Sequence, residues 1–227
     1  MNREYEFSVV VFAKDTAKLY RTFKNIREVT PEGTVQILAV RTAGDMDIPD
    51  ERDMRELEEA GEKEKELKAE ELDKIYGEFN PEDPRFREML ADRDLLYIDG
   101  LECRDLVAEL KEKIAGSYVV FAKAGICFSS KTSAEVRRCF EEENRDVVIT
   151  KIRGKGNIHV REHNNYCNRF TEKTTLDNNV YLLHQLYAAY TFAADQVKWV
   201  SEIRPEIWYL DVMTMVYQSV VSCRSLG

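Results

Sequence analysis

Apolar residues along this chain come in two rhythms that alternate. "EFSVVVFA" at 6–13 is an unbroken apolar, β-branched run, the pattern of a strand buried on both faces of a parallel sheet. The segment after it, "DTAKLYRTFKNIREV", places Leu19, Phe23 and Ile26 at helical spacing behind Asp15 or Thr16 as a cap. "TVQILAVR" at 34–41 returns to the strand pattern, so the chain opens with a βαβ unit, whose crossover is almost always right-handed. Further strands are predicted in "DLLYID" (94–99), "SYVVFAKA" (117–124) and "RDVVITKIR" (145–153), with helices in "GLECRDLVAELKEKIAG" and over 132–144. "GKGNIHVREH" reads as an antiparallel return across a glycine turn. From about 176 the pattern turns helical, through "LDNNVYLLHQLYAAYTFAADQVKWV" and then "RPEIWYLDVMTMVYQSVVSC". Alternating strands and helices followed by helices predict an α/β fold with one layer of sheet between helices.

Residues 51–77 break the rhythm. Glu and Lys recur there at three- and four-residue spacing over a thin seam of Met54, Leu57, Leu67, Leu72 and Ile75. That is a solvated helix, or a helix pair broken near Gly61, with a partner-binding helix as the alternative. "NPEDPRF" follows as a turn with two prolines. At 227 residues and 44% hydrophobic content the chain can bury a good core, which predicts a single domain over 1–227 with the charged stretch at about 51–90 as an insertion.

A net charge of −9 argues against broad contact with nucleic acid or anionic membrane, while leaving room for a local basic groove. The five cysteines are scattered, odd in number and never spaced C-x-x-C, so they signal neither a disulfide framework nor a zinc ribbon, and a reducing, cytoplasmic setting is expected. No run approaches the roughly 18 apolar residues of a membrane helix. Glycine-rich dinucleotide and P-loop cradles and the nucleophile elbow are also missing. His159, His163 and Cys167 are four residues apart, which would put three metal ligands on one face of a helix. Gly154, Gly156, Asn164 and Asn165 argue against a helix there, and His184, among apolar neighbours, reads as a core or helix-face histidine.

Ligands of open α/β sheets bind beyond the carboxyl ends of the strands. The positions to watch are therefore Lys14 and Asp15, Arg41 to Asp47, Asp99, and the corner Ala122, Lys123, Ala124 and Gly125. Four segments at such positions carry a resemblance: "FAKD" at 12–15, "VRTAGD" at 40–45, "AGSYVVFAKAG" at 115–125 and "IRPEIWYLDVMTMVY" at 203–217. In order, spacing and hydrophobic rhythm the chain resembles the family 2 glycosyltransferases of the GT-A fold, over nearly all its length except 51–90. The resemblance implies a GT-A-like (Rossmann-like), mostly parallel central sheet flanked by helices, with a helical C-terminal part. It also implies transfer of a sugar from a nucleotide-sugar donor to a glycan or polyol acceptor.

Residue by residue, the resemblance places Asp15, Arg41, Lys123 and Gly125 around the donor and its phosphates, Asp211 as the base, and Trp208 and Tyr209 at the acceptor. Arg41 stands where the family has a base-binding aspartate, Lys123 and Gly125 where it has the Asp-x-Asp metal pair, and Leu210 where it has the first member of a Glu-Asp pair. A divalent metal is expected for the family, yet its carboxylate ligands are not present in this chain, and a lysine repels the cation. Two accounts fit: Lys123 neutralises the diphosphate without metal while Asp211 deprotonates the acceptor, or the domain is a non-catalytic scaffold or a carbohydrate- or protein-binding module. The alternative readings are a lysine reaching solvent for Lys123, a helix cap for Asp211 and core for the aromatics. Lys123 and Arg41 are expected to converge on one cleft with Asp211, and Lys123 and Asp211 to be exposed. The abrupt end at "SCRSLG" suggests a shortened member or the leading domain of a longer polypeptide, with apolar surface near Val216, Val220 and Val221 left to a partner or a second copy.

Overall fold

A computed structural model describes residues 4–43, 79–143, 145–151 and 187–224. Seven consecutive buried residues, from Phe7 to Ala13, make β1 (Tyr5–Ala13) an inner strand. β2 (Val35–Arg41) and β3 (Leu95–Asp99) lie on one side of it, and β4 (Gly116–Lys123) lies on the other. All of these neighbours are parallel, so the expected βαβ unit is present. β5 (Val147–Lys151) and β6 (Tyr187–Ala193) complete a six-stranded sheet in the order β3-β2-β1-β4-β6-β5, with β6 antiparallel to both its neighbours.

The five helices among the described residues cover both faces. Odd-numbered β1 residues Phe7, Val9, Val11 and Ala13 pack against α1 (Thr16–Val29), α2 (Pro84–Leu90) and α4 (Thr132–Glu141). Even-numbered Val10 and Phe12 face α3 (Leu106–Lys113) and α5 (Trp208–Arg224). α1 shows how the local code works: Leu19, Phe23 and Ile26 are buried, and the Asp15 carboxylate caps the helix by accepting the Lys18 N–H at 2.8 Å. This is the α/β layout expected from the sequence, a mostly parallel sheet flanked by helices with a helix at its C-terminal end.

Two expectations need correction. "YAAYTFA" at 187–193 falls in the stretch read as helical, but it forms β6. A short apolar run has no period that separates buried strand from buried helix, and here pairing on both sides decides, with Ala189, Tyr190, Thr191 and Phe192 all at most 2% exposed. Val216, expected on an uncovered apolar surface, is buried in the α5 side of the core, while the side chains of Val220 and Val221 lie outside the described residues. The charged stretch 51–78, the return at 154–163, His159, His163, Cys167 and His184 also lie outside them. No helix among the described residues is long and apolar enough to cross a membrane.

The amino ends of the inner strands are fastened by a buried polar network. Ser8 donates to Gln36 at 2.5 Å and accepts the Gly116 N–H at 2.8 Å, while Gln36 donates to the Lys113 carbonyl at 2.8 Å. Nearby, Arg27 ties α1 to the turn before β3 through two hydrogen bonds to Asp92, at 2.7 and 2.8 Å, and one to the Val35 carbonyl at 2.8 Å. Burial pushes the Asp92 carboxyl up, but the Arg27 hydrogen bonds and the Asp94 N–H outweigh it and hold the group below its ordinary value. The folded-state pKa is thus depressed, so this stabilisation is fully present above the ordinary carboxylate value and is lost as pH falls from there through the folded value. We expect Asp92→Asn to cost about 1–2 kcal/mol at about pH 7 and to converge on the parent near pH 2, in urea midpoints measured at both.

Candidate functional site

Four strands deliver their carboxyl ends to one edge of the sheet, and the register shows which face each residue takes. Paired residues share a face: Phe12 pairs with Val40 and Lys123, and Ala13 pairs with Arg41. Lys123, half-buried, therefore stands beside Phe12 on the α5 face, where the Trp208 ring stacks on Phe12 at 4.2 Å. Arg41 takes the opposite face. Its guanidinium lies 5.3 Å from the Phe79 ring centroid and binds Asp99 at 3.1 Å. The expected convergence of Arg41 and Lys123 in one positive cleft is not formed, because adjacent positions along a strand point to opposite sides.

Around Arg41 the chain builds a closed aromatic and ionic group. Phe79 stacks on Tyr97 at 5.6 Å, and Phe86 meets both rings edge-on at 5.1 Å. Burial, aided by the charge of Asp99 and opposed by Arg41, pushes the Tyr97 hydroxyl up to about 12, so it stays protonated. Asp15 is 3% exposed and engaged as the α1 cap, a role the sequence allows and the geometry confirms.

The corner after β4 turns towards α1. The Gly125 N–H is shared by the Lys18 carbonyl at 3.1 Å and the Thr22 hydroxyl at 2.9 Å, and Thr22 donates to the Ile126 carbonyl at 2.9 Å. Asn25 then brackets Phe128, accepting its N–H at 2.5 Å and donating to its carbonyl at 3.1 Å. Gly125 has φ +92°, a conformation that favours glycine.

Asp211 sits in the first turn of α5 and is 7% exposed, so it is neither an exposed carboxylate nor an N-cap. Arg204 holds both its oxygens: the backbone N–H and Nε donate to Oδ2 at 2.9 and 3.2 Å, and Nη2 donates to Oδ1 at 2.6 Å. The same contact holds the Arg204 guanidinium above its ordinary value. Trp208 and Tyr209, expected at an acceptor, are 3% and 8% exposed and belong to the core. Sequence reasoning did not find Arg204, Phe79 or Tyr97 as partners of the site. Arg204 precedes Asp211 across the non-helical turn "RPEI", so no periodicity links them.

A divalent cation wants several hard oxygen ligands. The β4 corner offers Ala122, Lys123, Ala124 and Gly125, the Asp15 carboxylate is the helix cap, and among the described residues no three of His, Cys, Asp and Glu come together. These residues do not fit a divalent metal.

No known family matches the chain by sequence profile, and no curated protein matches it. Among solved structures it is similar to the mannosyltransferase PcManGT from Pyrobaculum calidifontis in complex with GDP-Man and Mn2+, with 12% identity, 94% of this chain and 51% of that one covered, and a TM-score of 0.49. It is similar to S. aureus TarS 1-349 in complex with UDP, with 12% identity over 93% of this chain and 54% of that one, TM-score 0.49. A nucleotide-diphospho-sugar transferase, described as putative, from Desulfovibrio desulfuricans G20 follows at 13% identity, 96% and 75% coverage and TM-score 0.34. The chain spans about half the length of the first two. Likeness at this level concerns the layout of elements alone.

Proposed function

We propose that this chain is a glycosyltransferase-like domain of the family 2 type in which metal-assisted transfer from a nucleotide-sugar donor is impaired. The reading is supported by the four segments that carry the resemblance, which close β1, β2 and β4 and open α5 on the sheet. The observation that carries it is how the charged groups at the strand ends are bonded. Asp15 caps α1, Arg41 binds Asp99 and Asp211 is gripped by Arg204, so three of the expected donor and acceptor groups already have partners within the chain. Any residual transfer would use Lys123 as the positive charge beside the diphosphate and Asp211, in its pair with Arg204, as the base. A non-catalytic scaffold or binding role is the second reading, favoured by the hold of Arg204 on Asp211.

Calorimetric titration with UDP and with GDP, each with and without Mn2+, tests the proposal. We expect no heat that depends on the metal. Micromolar binding that requires Mn2+ would overturn it, and metal-free binding abolished by Lys123→Ala would favour the metal-independent form over the scaffold.

A further inference from the structure

The corner after β4 carries Ala122, Lys123, Ala124 and Gly125 where the resemblance implies a pair of acids. We infer that Gly125 to Phe128 form a clamp fastening the β4–α4 connection to α1, and that the clamp directs positions 123 and 125 to opposite faces of the sheet. The inference rests on the reading of this corner as the counterpart of the family's metal corner, and it concerns geometry where that reading concerned chemistry. Lys123 shares a face with Phe12, and Trp208 of α5 covers that face. Two residues later the chain lies against α1, which covers the other face.

The fastening follows one ridge of the helix. Lys18, Thr22 and Asn25 are spaced four and three apart, so they form a single row on its surface. The row presents, in turn, the Lys18 carbonyl to Gly125, the buried Thr22 hydroxyl to Gly125 and Ile126, and the Asn25 amide to both polar groups of Phe128. A Cβ added at Gly125 would rest 3.6–3.7 Å from Cβ, Cγ and Cδ of Lys18. A side chain at 125 thus starts against the α1 ridge, while one at 123 starts beside Phe12. Two carboxylates placed at these positions would not share a cation, which needs its ligands within about 2.3–2.6 Å of one point.

The test restores the acids. In Lys123→Asp/Gly125→Asp, Mn2+ alone is titrated by the loss of the free-ion electron paramagnetic resonance signal, against the parent and both single variants. We expect the double variant to bind Mn2+ no more than threefold tighter than either single one. A tenfold or greater gain that needs both acids would overturn the proposal. Because position 125 has φ +92°, the double variant can fail to fold, so amide hydrogen exchange on the parent and on Asn25→Ala supplies a second reading. The Gly125 and Phe128 amides should be protected in the parent, and Phe128 should exchange at least tenfold faster in Asn25→Ala. Unprotected exchange at both amides of the parent, or an unchanged Phe128 rate in the variant, would sink the clamp. Neither readout depends on nucleotide binding by the parent, so this inference and the proposed function can fail separately.

Discussion

Trp208→Ala should lower the unfolding free energy by about 3–5 kcal/mol, the usual cost of deleting a large buried aromatic. Trp208 is 3% exposed, its ring lies nearly parallel to Phe12 at 4.2 Å, and it meets Tyr209 edge-on at 6.2 Å. Through Phe12 it packs α5 against β1, in the same buried cluster as Val212, Met213 and Met215. For a domain of this size the loss corresponds to a fall in melting temperature of roughly 6–20 °C. Thermal melts of the parent and variant read it directly. A fall below about 2 °C, with sugar binding changed instead, would return Trp208 to the acceptor role that the sequence resemblance suggested.

Gly116→Ala should be nearly as damaging, by about 3 kcal/mol or more, although it adds a single methyl group. Modest overpacking costs about 1–3 kcal/mol where side chains can move aside. Here the obstacle is backbone. A Cβ at 116 would lie 2.3 Å from the Ser8 nitrogen and 2.5 Å from the Phe7 carbonyl carbon, and also 2.9 Å from the Ser8 hydroxyl. Relief means pushing β4 away from β1 at the point where Ser8 accepts the Gly116 N–H. Urea unfolding should show an earlier midpoint for Gly116→Ala. A midpoint equal to the parent's would mean that β1 and β4 are not in contact there.

Much of this architecture was legible because the inner strands declare themselves. "FSVVVFA" and "VQILAVR" are largely apolar, β-branched runs that suit strands buried on both faces, and the helical stripe Leu19, Phe23 and Ile26 between them fixes which side of α1 is buried. β6 was not legible. Its run of Tyr, Ala, Thr and Phe suits a buried helix as well as a strand, and the decision comes from β4 and β5, which lie elsewhere in the sequence. At the candidate site, position along the chain could be read but facing could not. That Arg41 and Lys123 both sit at strand ends follows from hydrophobic rhythm, whereas their opposite faces follow from a register that one strand alone does not specify. Asp211 likewise showed its helix in the sequence but not its hold on Arg204.

The antiparallel β6 also orders events as the chain folds. β1, β2, β3 and β4 pair with strands that precede position 124, so this part of the sheet can assemble from residues already made. β4 gains its second neighbour only when residues 187–193 arrive, and the entropy of bringing together positions so far apart in the sequence must be met before that pairing is gained. Until then the edge of β4 carries unpaired N–H and C=O groups flanked by Val119, Val120 and Phe121, a template for strands from other molecules. The residues that complete the sheet are therefore also those that guard the nascent chain against aggregation.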